Sequence, residues 1–335
     1  MKIFVTGGTG YIGSHTVVEL QQNGYDVVIV DNLCNSNIGV LDGIEKITGI
    51  RPEFEQIDLT EGEQVRDFFR RHQDIKAVIH FAAYSLVGES VENPLKYYEN
   101  NLNKTRDMLE VMVANGVDKF VFSSTAATYG EPERVPILEN DRTEPTNPYG
   151  ETKLAMEKMF KWTGNATGLR YVSLRYFNAC GAHVSGNIGE AHNPESHLIP
   201  LILQVPNGKR EFISIFGNDY PTPDGTCIRD YIHVTDLADA HILAVDYLLK
   251  GGQSDIFNLG NGVGFSVREV IETARKVTGH PIPAKEVARR AGDPAQLIAS
   301  SEKAKKVLGW NPQHDSLEEI ISTAWNWHKN HPNGF

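Results

Sequence analysis

Tyr149 and Lys153, in the stretch NPYGETK, stand four residues apart just after a proline. Four residues is about one helical turn, so on a helix the phenol and the ammonium share a face. A free tyrosine, with a pKa of about 10, is a poor base at neutral pH. A cation beside it favours the phenolate and lowers that pKa. Ser123, Ser124 and Thr125 close the apolar run KFVFSS (119–124) and its next residue. A hydroxyl there can hydrogen-bond a substrate oxygen and help pass its proton to a phenolate. Taken alone, Y-x-x-x-K is common on solvated helices and names no reaction.

The N-terminal stretch TGGTGYIG supplies Gly7, Gly10 and Gly13. It follows an apolar, β-rich run (KIFVT, 2–6) and opens a segment with helical spacing (12–23). Glycines in that context let the backbone approach a pyrophosphate, whose charge the helix start favours. Asp31 ends the next apolar run, eighteen residues after Gly13. A carboxylate there accepts from adenosine ribose hydroxyls and repels a 2′-phosphate, which selects NAD over NADP. The cationic nicotinamide ring is then a second group that favours the Tyr149 phenolate. Asp58 ends a third run, where a carboxylate suits the adenine amino group or, equally, the N-cap of a helix over 61–72.

These residues need a scaffold. Strands are predicted at 2–6, 26–30, 52–57, 76–81, 119–124 and 170–177. Helices are predicted at 12–23, 61–72, 94–114 and around Tyr149. Strand-helix alternation with near-continuous apolar strands predicts an α/β fold: a Rossmann-type, doubly wound parallel sheet. From 178 to 196 the chain is rich in Gly, Asn, His and Ser without a clear period, the signature of a functional loop. Beyond it, a strand at 256–260 and helices at 267–278 and 316–329 predict a smaller mixed α/β C-terminal substrate lobe. The expected division is 1–178 for NAD and 179–335 for the substrate, with a soft boundary that the chain crosses back over.

Composition narrows the partners. The 335 residues carry 32 Lys+Arg against 43 Asp+Glu, a formal charge of −11, and no basic run, so no nucleic acid is expected. The three cysteines, Cys34, Cys180 and Cys227, are scattered. They predict neither disulfides nor a cysteine-rich zinc site, and they fit a reducing cytoplasm. No metal is expected. The short apolar run at the start reads as neither signal peptide nor membrane span, and no other segment is long and apolar enough to span a membrane.

At this point the chain resembles an extended short-chain dehydrogenase/reductase, and within that superfamily the UDP-glucose 4-epimerases. The resemblance covers essentially the whole chain. Besides the three motifs above, it rests on DNLCNS, VGESVENPLKYYENN, SSTAATYG, LRYFN, FGNDYPTPDGTCIRDYIHV and RRAGDPAQ. It implies reversible inversion at C4 of a UDP-hexose through a 4-keto sugar, with NAD retained and Tyr149, Lys153 and Thr125 catalytic. By matching motif it implies further NAD contacts from Tyr11, Ile12, Asn32, Asn35, Ser36, Leu59, Phe81, Ala82, Ala83, Asn100, Ser123 and Tyr176. For the UDP-sugar it implies Phe177, Asn178, His197, Leu198, Phe216, Arg229, Tyr231, Arg290 and Asp293. The two arginines would hold the diphosphate and Asp293 the uridine ribose. Relatives also imply a homodimer built on helices near 94–114 and 150–164.

Three positions depart from the family pattern: Thr125 where serine is frequent, Ser85 where some members have lysine, and His197 where asparagine is common. Leu297, four residues after Asp293, falls where the family places a residue beside the sugar. A tyrosine there restricts the pocket and a small residue admits an N-acetyl group, so Leu297 implies partial or full activity on UDP-GlcNAc and UDP-GalNAc. Two rival enzymes fit less well. A 4,6-dehydratase needs a carboxylate pair after Thr125, where this chain has Ala126-Ala127. A net oxidoreductase would consume free NAD. A binding-only regulator has no need of Thr125, Tyr149 and Lys153 together.

Overall fold

The computed structural model describes residues 1–290 and 293–335. Thirteen strands appear in chain order: β1 (Lys2–Thr6), β2 (Asp26–Asp31), β3 (Glu53–Gln56), β4 (Ile75–His80), β5 (Lys119–Thr125), β6 (Arg170–Tyr176), β7 (Asn178–Cys180), β8 (Ile213–Phe216), β9 (Ile228–His233), β10 (Asp255–Leu259), β11 (Gly264–Ser266), β12 (Ala284–Val287) and β13 (Gln296–Leu297). Seven form one sheet, in the order β10-β6-β5-β4-β1-β2-β3. Every pairing in it is parallel. The strand order reverses between β1 and β4, and in sheets of this type ligands bind beyond the strand ends at that switch point.

Both faces of the sheet are covered, which explains its unbroken apolar strands. One face buries Ile3, Val5 and Ile79 against the helices Tyr11–Gln22 and Val234–Leu249. The other buries Phe4, Phe120 and Phe122 against Phe68, Met108 and Phe160. The Phe160 ring lies 4.9 and 5.0 Å from those of Phe120 and Phe122. Truncating such a ring to alanine costs about 3–5 kcal/mol. Phe160 therefore anchors the helix Pro148–Thr167, which carries Tyr149, to the sheet.

That helix starts where the sequence says it must. Asn147 is extended, and its side chain accepts from Gly150 N–H at 2.9 Å. Pro148, at the first helical position, needs no N–H partner there. Gly168, at φ +81°, ends the helix in the left-handed region.

The expected helix over 94–114 is broken. Pro94–Tyr97 and Lys104–Ala114 are α-helical, and a wider π turn, Tyr98–Asn103, joins them. The turn buries Asn101, whose side chain pairs with both backbone polar groups of Tyr84 at 2.9 Å. The 3.6-residue period carries no sign of this turn.

The remaining strands form a second unit. β9 is flanked by β11 and β13, and β7 also pairs with β9; β12 pairs with β8. A third core, with Ile199, Ile271, Ile320 and Ile321, fills it. β10 and Val234–Leu249, both beyond position 178, pack on the large sheet, and the helix also touches β7 and β9. No helix among the described residues is long and apolar enough to cross a membrane.

Candidate active site

β1 ends at Gly7, whose φ of +69° belongs to the left-handed region. A Cβ there would lie 2.7 Å from Ala82 N, and one on Gly13 would lie 2.2 Å from the Gly7 carbonyl oxygen. Only glycine permits this turn. The helix Tyr11–Gln22 begins with Gly10 as its N-cap and has no side-chain cap. Its first-turn N–H groups suit a phosphate, as the sequence predicts. Asp31, at the end of β2, accepts from Thr9 N–H (3.3 Å), Leu33 N–H (2.9 Å) and the Ser36 hydroxyl (3.1 Å). A carboxylate has about four acceptor positions, so this fixed group can still accept from a ribose hydroxyl.

Asp58 accepts from Asn32 Nδ2 at 2.9 Å and Thr60 N–H at 2.8 Å. It does not cap the following helix, which starts from Glu61. Leu59 follows it and packs on the core. Asn35 is exposed, with Oδ1 3.4 Å from Asn193 N. Across the switch point, the buried His80 ends β4. Its two ring nitrogens meet the hydroxyls of Thr6 at 2.7 Å and Thr105 at 2.9 Å. Phe81, Ala82 and Ala83 follow directly, with Phe81 N–H bound to the Thr6 carbonyl at 3.0 Å. Asn100 donates to Asn101 at 3.0 Å. The glycine turn, the open helix start and Asp31 together fit a dinucleotide.

Thr125 ends β5, and Tyr149 sits in the first turn of the helix beside it. The Thr125 hydroxyl acts on the Tyr149 phenol by hydrogen bonding and pulls its pKa down. Burial is the larger effect and leaves that pKa above its ordinary value. Lys153 is 2% exposed, and its Nζ lies 5.8 Å from the Tyr149 ring centre. It donates to the Ser123 carbonyl at 2.7 Å. Burial pulls its pKa down to about 7, with Glu157 opposing that shift.

Thr125 is thus the side chain that opposes the upward shift of the phenol. Burial pushes each partner towards its neutral form. A phenolate and an ammonium formed together would still attract each other. The Ser123 hydroxyl is hydrogen-bonded to the Tyr176 hydroxyl.

Beneath this layer lies a buried network that sequence reasoning missed. Glu157, one turn beyond Lys153, accepts from the Ser124 hydroxyl at 2.5 Å and pairs with Arg175 at 2.5 Å. Arg175 also donates to the Tyr129 hydroxyl at 3.0 Å, and that hydroxyl donates to Asn258 at 2.6 Å. The i, i+4 spacing of Lys153 and Glu157 was available as a signal, but it is shared by countless surface pairs.

Strand register leads from this centre to the expected substrate residues. Thr125 pairs with Tyr176 across β5 and β6. Phe177 is a one-residue break, and Asn178 then pairs with Tyr231 across β7 and β9. Two residues back along β9, on the same face, Arg229 pairs with Leu297 of β13. Arg229 lies 3.8 Å from the Asp293 carboxylate, to which Arg290 donates at 2.9 Å. The Arg290 guanidinium also covers the Phe216 ring at 4.9 Å. Arg229, Arg290, Asp293, Phe216 and Leu297 thus form one cluster. His197 and Leu198 stand at the start of the helix Leu198–Leu203. There His197 meets Glu190 at 2.5 Å.

A dinucleotide turn, a Thr-Tyr-Lys centre at the strand ends and a two-arginine cluster define an NAD-using enzyme of the extended Rossmann type. The NAD dependent epimerase/dehydratase family model matches residues 3–260, and the chain belongs to that family. Over all 335 residues, covering 100% of this chain and 98% of the relative, it is 58% identical to the UDP-glucose 4-epimerase of Halalkalibacterium halodurans. The crystal structure of UDP-glucose 4-epimerase from Bifidobacterium longum, in complex with NAD+ and UDP, is 42% identical and covers 100% of both chains with a TM-score of 0.96. The UDP-Glc/GlcNAc 4-epimerase of Campylobacter jejuni is 41% identical over 98% of this chain and 99% of its own, with a TM-score of 0.86.

Proposed function

We propose that this chain interconverts UDP-glucose and UDP-galactose by inverting C4 through a 4-keto sugar, with NAD retained between turnovers. Gly7, Gly10, Gly13 and Asp31 would hold the dinucleotide. NAD, when bound, takes the C4 hydride and returns it to the opposite face. The protein's part is proton transfer. The Tyr149 phenolate accepts the O4 proton through the Thr125 hydroxyl and gives it back on reduction. Lys153, held on the Ser123 carbonyl, supplies the positive charge that makes the buried phenolate affordable. Arg229 and Arg290 bind the diphosphate, so the sugar can turn over while the nucleotide stays fixed.

The observation that carries this reading is the strand register that runs, across the one-residue link at Phe177, from Thr125 through Tyr176, Asn178 and Tyr231 to Arg229 and Leu297. It supports a reading in which proton chemistry and diphosphate recognition share one path through the strands. Purified protein should convert UDP-galactose with no added NAD, and Tyr149→Phe should keep bound NAD while losing turnover by roughly 10²–10⁴-fold. Unchanged turnover in Tyr149→Phe would remove the phenol from the mechanism.

The finer features of the reading follow. Residues 1–178 serve NAD and 179–335 the UDP-sugar, with β10 and the helix Val234–Leu249 contributed back to the first unit. The exposed Val91, Leu95 and Trp162, on helices at one side of the sheet, support a homodimer. Reduced scattered cysteines support the cytoplasm. Leu297, partly buried beside Arg229, supports activity on the N-acetylated UDP-hexosamines as well.

A further inference from the structure

Glu190, His192, Glu195 and His197 lie in the loop after β7, and each presents one donor atom, all within 4.8 Å of one another. Glu190 is 3% exposed. Among the described residues its carboxylate meets two imidazoles. The Nδ1 atoms of His197 and His192 lie 2.5 and 3.1 Å from the same oxygen, Oε1. The Glu195 side chain is 7% exposed. Its Oε1 accepts from the N–H groups of Ser196 at 2.7 Å and His197 at 2.8 Å. That oxygen lies 3.7 Å from His197 Nδ1, and Oε2 lies 3.9 Å from His192 Nδ1.

The two histidines therefore turn the same ring nitrogen inward, between two carboxylates that are nearly dry. Two buried carboxylates so close repel each other, and one positive charge shared among four donors relieves both. In a tetrahedral zinc site, metal–ligand distances of about 2.1 Å give ligand–ligand edges of about 3.4 Å. Separations of 3.1, 3.7 and 3.9 Å, the last two to different oxygens of Glu195, lie on either side of that value. The 2.5 Å edge is a hydrogen bond, which must open by roughly one ångström.

Two hydrogen bonds tie the surroundings to neighbouring elements. Trp327 Nε1 donates to the Glu190 carbonyl at 2.9 Å, and the Tyr11 hydroxyl donates to the Gly181 carbonyl at 2.6 Å. An N₂O₂ donor set suits zinc-like ions better than magnesium or calcium, which prefer oxygen alone.

We propose that Glu190, His192, Glu195 and His197 form a binding site for one divalent cation of the zinc class. No step of the epimerisation passes through it. Its effect is to clasp the loop on both sides of Pro194 and fix the chain entering Leu198.

The wild-type protein, stripped with chelator, is titrated with Zn²⁺ by calorimetry and with Co²⁺ by visible absorption. The site predicts one equivalent of Zn²⁺ per chain, a Kd at or below about 1 µM, and the intense bands of four-coordinate Co²⁺. Glu195→Gln and His192→Asn, checked for folding by circular dichroism and for retained NAD, should each weaken Zn²⁺ binding at least about a hundredfold, the upper end of what losing a mere outer-sphere partner costs. Absence of binding to the wild type overturns the proposal, as does equal binding by wild type and the double variant. Should either variant fail to fold, the wild-type stoichiometry and cobalt spectrum decide alone.

Discussion

Lys153 Nζ donates to the main-chain carbonyl of Ser123 at 2.7 Å, tying the helix of the reactive phenol to the end of β5. Ser123 carries the hydroxyl bound to Tyr176, and Thr125 stands two residues on. One ammonium thus lies 5.8 Å from the Tyr149 ring centre and holds the strand end that carries Thr125.

Lys153→Met keeps the length of the side chain and removes both roles. The expected fall in kcat/KM for UDP-galactose is roughly 10²–10⁴-fold. Arginine in its place should not rescue turnover, since its planar fork cannot replace a compact ammonium in this dry pocket. Turnover within a few-fold of wild type would show that Lys153 has no share in activating Tyr149.

Glu157 and Arg175 form a buried ion pair, 3% and 4% exposed at their side chains. Glu157→Gln leaves Arg175 without its counter-charge and should destabilise the fold by about 3–5 kcal/mol. Urea denaturation monitored by circular dichroism measures this. The double variant Glu157→Gln, Arg175→Met should recover part of the loss, because no isolated charge then remains. A double variant no more stable than Glu157→Gln would contradict this account of the pair.

His80 is buried between two threonine hydroxyls, and burial pulls its pKa from 6.5 down to about 3. The unfolded chain therefore binds a proton that the folded chain refuses between those two values. The contribution of His80 to stability is complete above pH 6.5 and is lost as pH falls towards 3. The slope is at most about 1.4 kcal/mol per pH unit. His80→Gln retains hydrogen-bonding groups but cannot titrate, so its stability curve should be flatter than that of the wild type over this window. Parallel curves would show that His80 contributes no proton linkage.

Leu297 pairs with Arg229 beside the two-arginine cluster. Leu297→Tyr should narrow the space for a C2 substituent. The expected outcome is a kcat/KM ratio of UDP-GalNAc to UDP-galactose that falls at least about tenfold, with UDP-galactose turnover retained. If the wild type shows no UDP-GalNAc turnover at all, the dual-activity reading fails outright.

The first half of the fold was legible because its strands, buried on both sides, print as apolar runs, and its turns need glycine. Gly7, Gly13 and Asp31 act through backbone space and one carboxylate, which residue type reveals. Asp58 was ambiguous because a cap and a ligand contact ask for the same side chain; its bonds to Asn32 and Thr60 show that it is not the cap of the following helix. The π turn at Tyr98–Asn103 was hidden because it arises from one tertiary demand, the burial of Asn101 against Tyr84. The Glu157–Arg175 network and the four-residue histidine–glutamate cluster were hidden for a similar reason. A count of cysteines could not see a cluster built from histidine and glutamate. The helix Val234–Leu249 went unmarked although ten of its residues are buried, because a helix buried on several sides loses the clean one-sided stripe that periodicity detects.

Phe177 is the single residue between β6 and β7. Side chains alternate faces along a strand, so a link this short transmits parity as well as direction. One residue inserted or deleted there would turn Asn178 and Cys180 to the opposite face and shift their alignment with β9. The join between the two units can therefore change in residue identity but not in length.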